Sequence, residues 1–182
     1  PYELEMAFIH VVRDAEVAGV AIDLPYCRQG ARILHVRLAD LQARIDVIAG
    51  RQVRVGSDRE VADALQGAGA VLTKRTPKGQ LATDDDVLQW LEREGLELAG
   101  LIRRWRQASY QLTSFFEKLD NLSVDHGDYV TVHPSTRTVA ARTGRTSITE
   151  PPLQTVPRGR TVRDAFIPRP GHKIVLCDYD GM

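Results

Sequence analysis

Residues 98–119 read LAGLIRRWRQASYQLTSFFEKL, and this stretch decides the fold class. Leu98, Leu101, Trp105, Ala108, Leu112, Phe115 and Leu119 recur at steps of three and four, the spacing of one face of an α-helix. A helix this long with a single apolar stripe needs other helices to cover it. Two upstream segments have the matching pattern. Leu4, Phe8, Val11, Ala15 and Ala18 form one stripe, closed by Gly19. Ala31, Leu34, Leu38, Leu41, Ile45 and Ile48 form another, opened near Pro25 and closed by Gly50. Val20–Asp23 is a short extended link, so the two helices are expected to form an antiparallel hairpin on which the 98–119 helix packs.

Between these long helices lie two shorter ones. Ser57-Asp58-Arg59-Glu60 reads as a capping box ahead of Val61 and Leu65. Gly67 to Lys78 is a loop. Thr83-Asp84-Asp85-Asp86 reads as another helix start, its carboxylates placed where the helix dipole favours them, with Val87, Leu88 and Leu91 on the apolar side and Gly95 at the end.

After Asn121 the period changes. Tyr129–His133 and Thr138–Ala141 are β-prone, and prolines at 151, 152, 157, 168 and 170 break up the stretch from 151 to 170. Lys173–Cys177 reads as a short apolar strand of the buried type. The expected fold is therefore mainly α with a small α/β part, divided into 1–122 and 123–182.

Composition excludes more than it assigns. The 182 residues are 43% apolar and 26% charged, as in an ordinary globular domain. The two cysteines, Cys27 and Cys177, form no disulfide framework or zinc motif and fit a reducing, cytoplasmic setting. The acidic, amphipathic start shows no signal-peptide pattern, and with no apolar run of 18 residues no membrane span is expected. The chain does not start with Met and stops just past an apolar run, so both ends read as cut from something larger.

Lys plus Arg and Asp plus Glu balance at 24 each, but the balance is uneven along the chain. From His133 to Lys173 stand Arg137, Arg142, Arg145, Arg158, Arg160, Arg163, Arg169 and Lys173, against only Glu150 and Asp164, a local charge of about +6. Such a segment fits a phosphate backbone, and equally a solvated basic face. Asp178 comes directly after the apolar strand. It is either a metal-binding carboxylate on a rigid scaffold or a turn cap, and Asp180 adds a second carboxylate. The basic loop Lys74-Arg75-Thr76-Pro77-Lys78-Gly79 fits phosphate contact or an ordinary polar turn. The five histidines have no ligand spacing, Cys177 reads as a packed thiol, Gly67-Ala68-Gly69 lacks the context of a dinucleotide loop, and Trp105 and Trp90 read as core.

The order of the pieces resembles one family. Thr143-Gly144-Arg145, then Glu150-Pro151-Pro152-Leu153-Gln154-Thr155-Val156-Pro157, then Gly159-Arg160-Thr161-Val162-Arg163-Asp164-Ala165-Phe166, then Asp178-Tyr179 is similar to the signature run of family A (bacterial polymerase I type) DNA polymerases. That family reads T-G-R-L-S-S-S-x-P-N-L-Q-N-I-P, G-x-x-I-R-x-A-F and D-Y-S-Q-I-E. Glu16–Asp23 is similar to its E-x-x-G-V-x-x-D, and Lys74–Gly79 to its basic thumb loop. The departures include Pro152 and Thr155 in place of asparagines, Arg137 and Thr138 upstream, Thr146 after T-G-R, a shorter link from Pro157 to Gly159, and Asp180-Gly181; they fit a diverged, phage-type member.

The resemblance implies a helical thumb followed by the first strands of a palm, in a DNA-templated DNA polymerase. Asp178 would be the first metal-binding and catalytic aspartate, with the Tyr179 backbone carbonyl as a further ligand for one of two Mg2+ ions. Arg145 would donate into the minor groove at the primer end. There every base pair shows acceptors, so a donor senses pair shape without reading sequence. Gln154 and Arg163 would contact DNA nearby, with Arg142, Arg137, Lys74 and Lys78 around them. Partners would be primer–template DNA and deoxynucleoside triphosphates. The family uses two carboxylates from separate strands, and this chain supplies one, so the 182 residues alone are expected to bind DNA without polymerising. The alternatives are a non-catalytic DNA-binding module and a helical scaffold protein with a basic tail.

Overall fold

The computed structural model describes residues 2–138, 145–175 and 177, with side chains from Met6 onward. Its elements run α1 (Tyr2–Ala18), β1 (Val20–Ile22), α2 (Leu24–Ala49), α3 (Asp58–Gly67), α4 (Asp85–Arg93), α5 (Glu97–Gln111), a π-helical segment (Leu112–Phe116), α6 (Glu117–Asn121), β2 (Val124–Asp125), β3 (Val130–Val132), β4 (Ser135–Arg137), β5 (Ser147–Thr149), a 3-10 turn (Leu153–Thr155) and α7 (Arg160–Arg163). The fold is mainly helical with small antiparallel sheets, as the periodicity requires. Packing divides the chain into two compact units, one of residues 32–111 and one of residues 1–31 with 112–182.

In the unit of residues 32–111, the apolar faces of α2, α3, α4 and α5 close on one core. Ile45, Val61, Leu65, Leu98, Leu101 and Ile102 are fully buried there. Each such side chain contributes about 2 kcal/mol by leaving water. Trp105 packs against this core, as read, whereas Trp90 is 52% exposed. Asp84 rather than Thr83 caps α4, its carboxylate accepting from the Val87 N–H at 3.1 Å.

The capping box at Ser57 is only half made. Ser57 Oγ accepts from Glu60 N–H at 3.4 Å, but the Glu60 carboxylate does not reach back to Ser57. It accepts instead from the Arg54 backbone N–H at 2.9 Å and from Arg54 Nε at 2.6 Å. A guanidinium is the stronger partner for a carboxylate, and it holds Glu60 below the usual carboxylate range.

In the other unit the expected extended link is a strand. β1 pairs antiparallel with β3 (Val20↔Val132, Ile22↔Val130), and β2 pairs on the far side of β3. Ile167 N–H donates to Ala21 O at 3.1 Å and Asp23 N–H to Ala165 O at 2.9 Å, so β1 has backbone partners along both edges. Gly19 turns the chain from α1 into β1 with φ +66°, and a Cβ there would lie 2.8 Å from Val132 O. His133 ties the same corner together. The Glu16 carbonyl can only accept, so His133 Nδ1 carries the proton across the 2.8 Å contact, and the buried Thr131 hydroxyl lies 2.9 Å from Nε2.

Two expectations are corrected. The helix read through 98–119 runs unbroken but is not α throughout, because residues 112–116 widen into a π segment that buries both Phe115 and Phe116. Gly30 of α2 meets the Phe116 ring, where a Cβ would come within 2.7 Å. The strand read at 173–177 is absent from its described part. Residues 172–175 and 177 form no ladder, and Ile174 and Val175 are 53% and 77% exposed. An apolar strand is stable only against neighbouring strands, and no described strand lies beside it. In α1, Phe8 and Val11 of the predicted stripe are likewise exposed.

Candidate nucleic-acid interface

The basic segment of 133–173 contains the β4–β5 ribbon. Its register is Ser135↔Thr149, Thr136↔Ile148 and Arg137↔Ser147. Antiparallel pairing brings Arg137 and Arg145, eight positions apart in sequence, to the same end of the ribbon, and both are exposed. The turn beyond the ribbon is held by Gln154. Its Nε2 donates to Thr146 O at 3.0 Å and its Oε1 accepts from Ile148 N–H at 3.3 Å. The Gln154 amide thus fixes the backbone next to Arg145.

Arg163 sits in α7, which Gly159 starts in extended conformation (φ −69°, ψ 160°) and whose apolar residue Val162 is buried. Its Nε donates to Pro157 O at 2.9 Å, and the residue is exposed. Tyr26 of α2 anchors α7 from below by donating its hydroxyl to Thr161 O at 2.8 Å. Burial, with Asp164 nearby, raises the Tyr26 phenol above its ordinary value, so it stays a donor. Arg160 pairs with Asp164 at 3.2 Å, which occupies one of the two acids in the basic segment.

The basic residues are not equivalent. Arg169 lies over the Tyr129 ring at 5.5 Å and donates to the Ala18 carbonyl, so it closes the sheet over the end of α1. Arg158 and Lys173 are exposed. In the unit of residues 32–111, Lys74 forms a 2.7 Å ion pair with Asp84, while Lys78 stands exposed at the loop tip. Sequence reading singled out nothing in α5 for this loop. The structure adds Arg106, whose position off the apolar stripe gave no signal beyond that of a solvated arginine.

Arg142, Thr143, Gly144, Asp178, Tyr179 and Asp180 lie outside the described residues, as do Val139, Ala140 and Ala141 of the second β-prone run. Among the described residues, no three His, Cys, Asp or Glu side chains gather as a metal site. No described helix is long and apolar enough to cross a membrane.

Known proteins are similar to this chain in sequence and in fold. The profile described as DNA polymerase family A matches residues 25–182. DNA polymerase I of Rhizobium leguminosarum is 33% identical over 181 residues, which cover 97% of this chain and 18% of the relative. DNA polymerase I of Chloroflexus aurantiacus is 29% identical over 187 residues, covering 98% and 20%. The solved POL domain of Pol1 from M. smegmatis, in complex with DNA primer-template and dNTP, superposes with a TM-score of 0.83 at 28% identity, over 93% of this chain and 30% of that one. The chain spans about a fifth of the length of the curated relatives it matches. With a family match over most of its residues, the chain belongs to DNA polymerase family A.

Proposed function

We propose that this chain is the helical thumb (1–122) and the beginning of the palm (123–182) of a DNA-templated DNA polymerase, and that it binds primer–template DNA. The observation that carries the reading is the likeness, over 93% of the chain, to a polymerase domain whose structure holds DNA primer-template and dNTP. The exposed Arg137 and Arg145 at one end of the ribbon, and Arg163 in α7, support it.

In this reading Arg145 donates into the minor groove at the primer end. Gln154 holds the backbone next to Arg145 and contacts DNA close by, and Arg163 meets phosphate. Lys78 and Lys74 also contact the DNA backbone, as do Arg137, at the end of the ribbon, and Arg142. Asp178 and the Tyr179 carbonyl would hold Mg2+, supplying the hard oxygen donors it prefers. When bound, two Mg2+ ions supply activation of the primer 3′-hydroxyl and stabilisation of charge at the phosphoryl group in transfer from a deoxynucleoside triphosphate.

The test is binding of the 182-residue chain to a primer–template duplex across a salt series, with Arg145→Ala plus Arg163→Ala as the comparison. Binding should fall steeply with salt. The double variant should bind more weakly, with a log–log slope shallower by about 1 for the lost phosphate contact. Absence of binding at low salt, or a double variant indistinguishable from the native chain, would overturn the assignment of the interface.

A further inference from the structure

The loop ahead of α4 is a small hairpin. Arg75 and Leu81 bridge antiparallel, Ala82 N–H donates to Lys74 O at 2.9 Å, and Thr76 N–H donates to Gln80 O at 2.8 Å. At its tip, Gly79 has φ +79° and its carbonyl accepts from Arg75 Nη1 at 2.7 Å, which leaves Lys78 outermost. All these bonds lie within the hairpin and give it no anchor to the rest of the unit, so two such cross-strand bonds persist only if the base is held. Direction has to come from what holds its base.

The base is Thr83, only 3% exposed, and Arg106 of α5 surrounds it. Arg106 Nη1 donates to the Thr83 carbonyl, and Nη2 donates to Thr83 Oγ1 at 3.2 Å and to Asp58 Oδ1 at 2.9 Å. Nη2 and Nε also donate to Val55 O at 3.3 and 3.4 Å. Thr83 Oγ1 in turn donates to Asp58 Oδ1 at 2.7 Å, which closes the set. One guanidinium therefore joins the segment before α3, the first residue of α3 and the residue before the α4 cap, all outside its own helix. Its planar fork sets angle as well as distance, which a lysine ammonium cannot do. The other tie at the base, Lys74 to Asp84, is half exposed and screened by salt.

We propose that Arg106 is a positioning residue that fixes the base of the 74–82 hairpin through Thr83, and so presents Lys78 to the DNA backbone without touching DNA itself. The proposal rests on the DNA-binding reading above, and its test separates the two. Arg106→Gln, Thr83→Val and Lys78→Ala are compared in the full 182-residue chain. The readouts are amide exchange without DNA and primer–template affinity across salt.

Arg106→Gln and Thr83→Val should each speed exchange at Thr76 and Ala82 by about tenfold while the α5 amides of Leu101 and Ile102 are unchanged. Both should weaken binding about as much as Lys78→Ala, and Lys78→Ala should add nothing further in the Arg106→Gln background. Unchanged hairpin exchange would overturn the proposal, as would acceleration spread evenly over residues 32–111 or additive losses of affinity. If Arg106→Gln does not fold, Thr83→Val carries the same test, since it keeps the guanidinium and the side-chain volume. If the native chain itself fails to bind duplex, the DNA reading falls, and hairpin exchange alone decides whether Arg106 holds the base.

Discussion

Arg163 and Arg169 carry the same charge in the same basic segment, yet the fold uses them differently. Arg163 is exposed beyond a single backbone bond, while Arg169 lies over Tyr129 and bonds the end of α1. Counting charges along a sequence cannot separate them, because the difference is made by a tyrosine forty residues earlier and a carbonyl in the first helix. The same holds for the two cysteines. Cys27 is fully buried in α2, and burial, with Asp23 and Asp120 near it, pushes its thiol up to about 12. Cys177, read from sequence as a packed thiol, is exposed. A thiol-specific reagent at mildly alkaline pH should therefore label one cysteine per chain quickly, Cys177, and the other only after denaturation. Equal labelling rates would contradict the buried setting of Cys27. Because the thiol is held protonated, its contribution to stability is complete below its ordinary value of 9.0 and is lost as the pH rises from there towards 12.

At the scale of elements, the helices follow their local signals closely and depart where side chains from elsewhere compete. Asp84 caps α4 and pairs with Lys74, and Lys74 together with the Val87 N–H holds its carboxyl below the usual value of 3.8. A depressed carboxyl stabilises the fold above its unfolded value and loses that contribution as the pH falls through the folded one. Acid titration below about pH 4 should thus loosen the hairpin base and the first turn of α4 before the core. Asp84→Ala should cost about 1 kcal/mol at neutral pH and remove that acid-linked step. An unaltered acid profile in Asp84→Ala would show that the step belongs to another group. The π segment at 112–116 left no trace in the apolar spacing. Leu112, Phe115 and Leu119 keep a helical step, and the extra burial of Phe116 depends on the absence of a side chain at Gly30, far away in sequence. The described residues 173–175 and 177 form no strand for the opposite reason. Their local pattern is strong, but a ladder needs a partner.

At the scale of the molecule, a chain of zero net charge carries a local excess of about +6 in one stretch, so its salt response should come from that stretch rather than from the total. The chain spans about a fifth of its curated relatives. In the proposed reading, two carboxylates from separate strands are needed and Asp178 is one of them. Primer-extension assays with the isolated chain, Mg2+ and nucleotides should therefore show binding without synthesis. Robust extension would overturn the two-carboxylate requirement for this protein.

The helical class, the helix starts at Ser57 and Asp84–Asp86, the change of period after Asn121 and the order of motifs that marks the family are all legible along the chain. All of these are written in local spacing and in hydrogen bonds between residues close along the chain. Only the tertiary structure decided that Val20–Ile22 is a strand with partners on both edges, that Arg137 and Arg145 share one end of a ribbon, that Gln154 and Arg169 bind the protein's own backbone, and that Arg106 grips the base of a hairpin. Each of these depends on groups distant in sequence meeting at hydrogen-bond distance, and no local pattern encodes such a meeting.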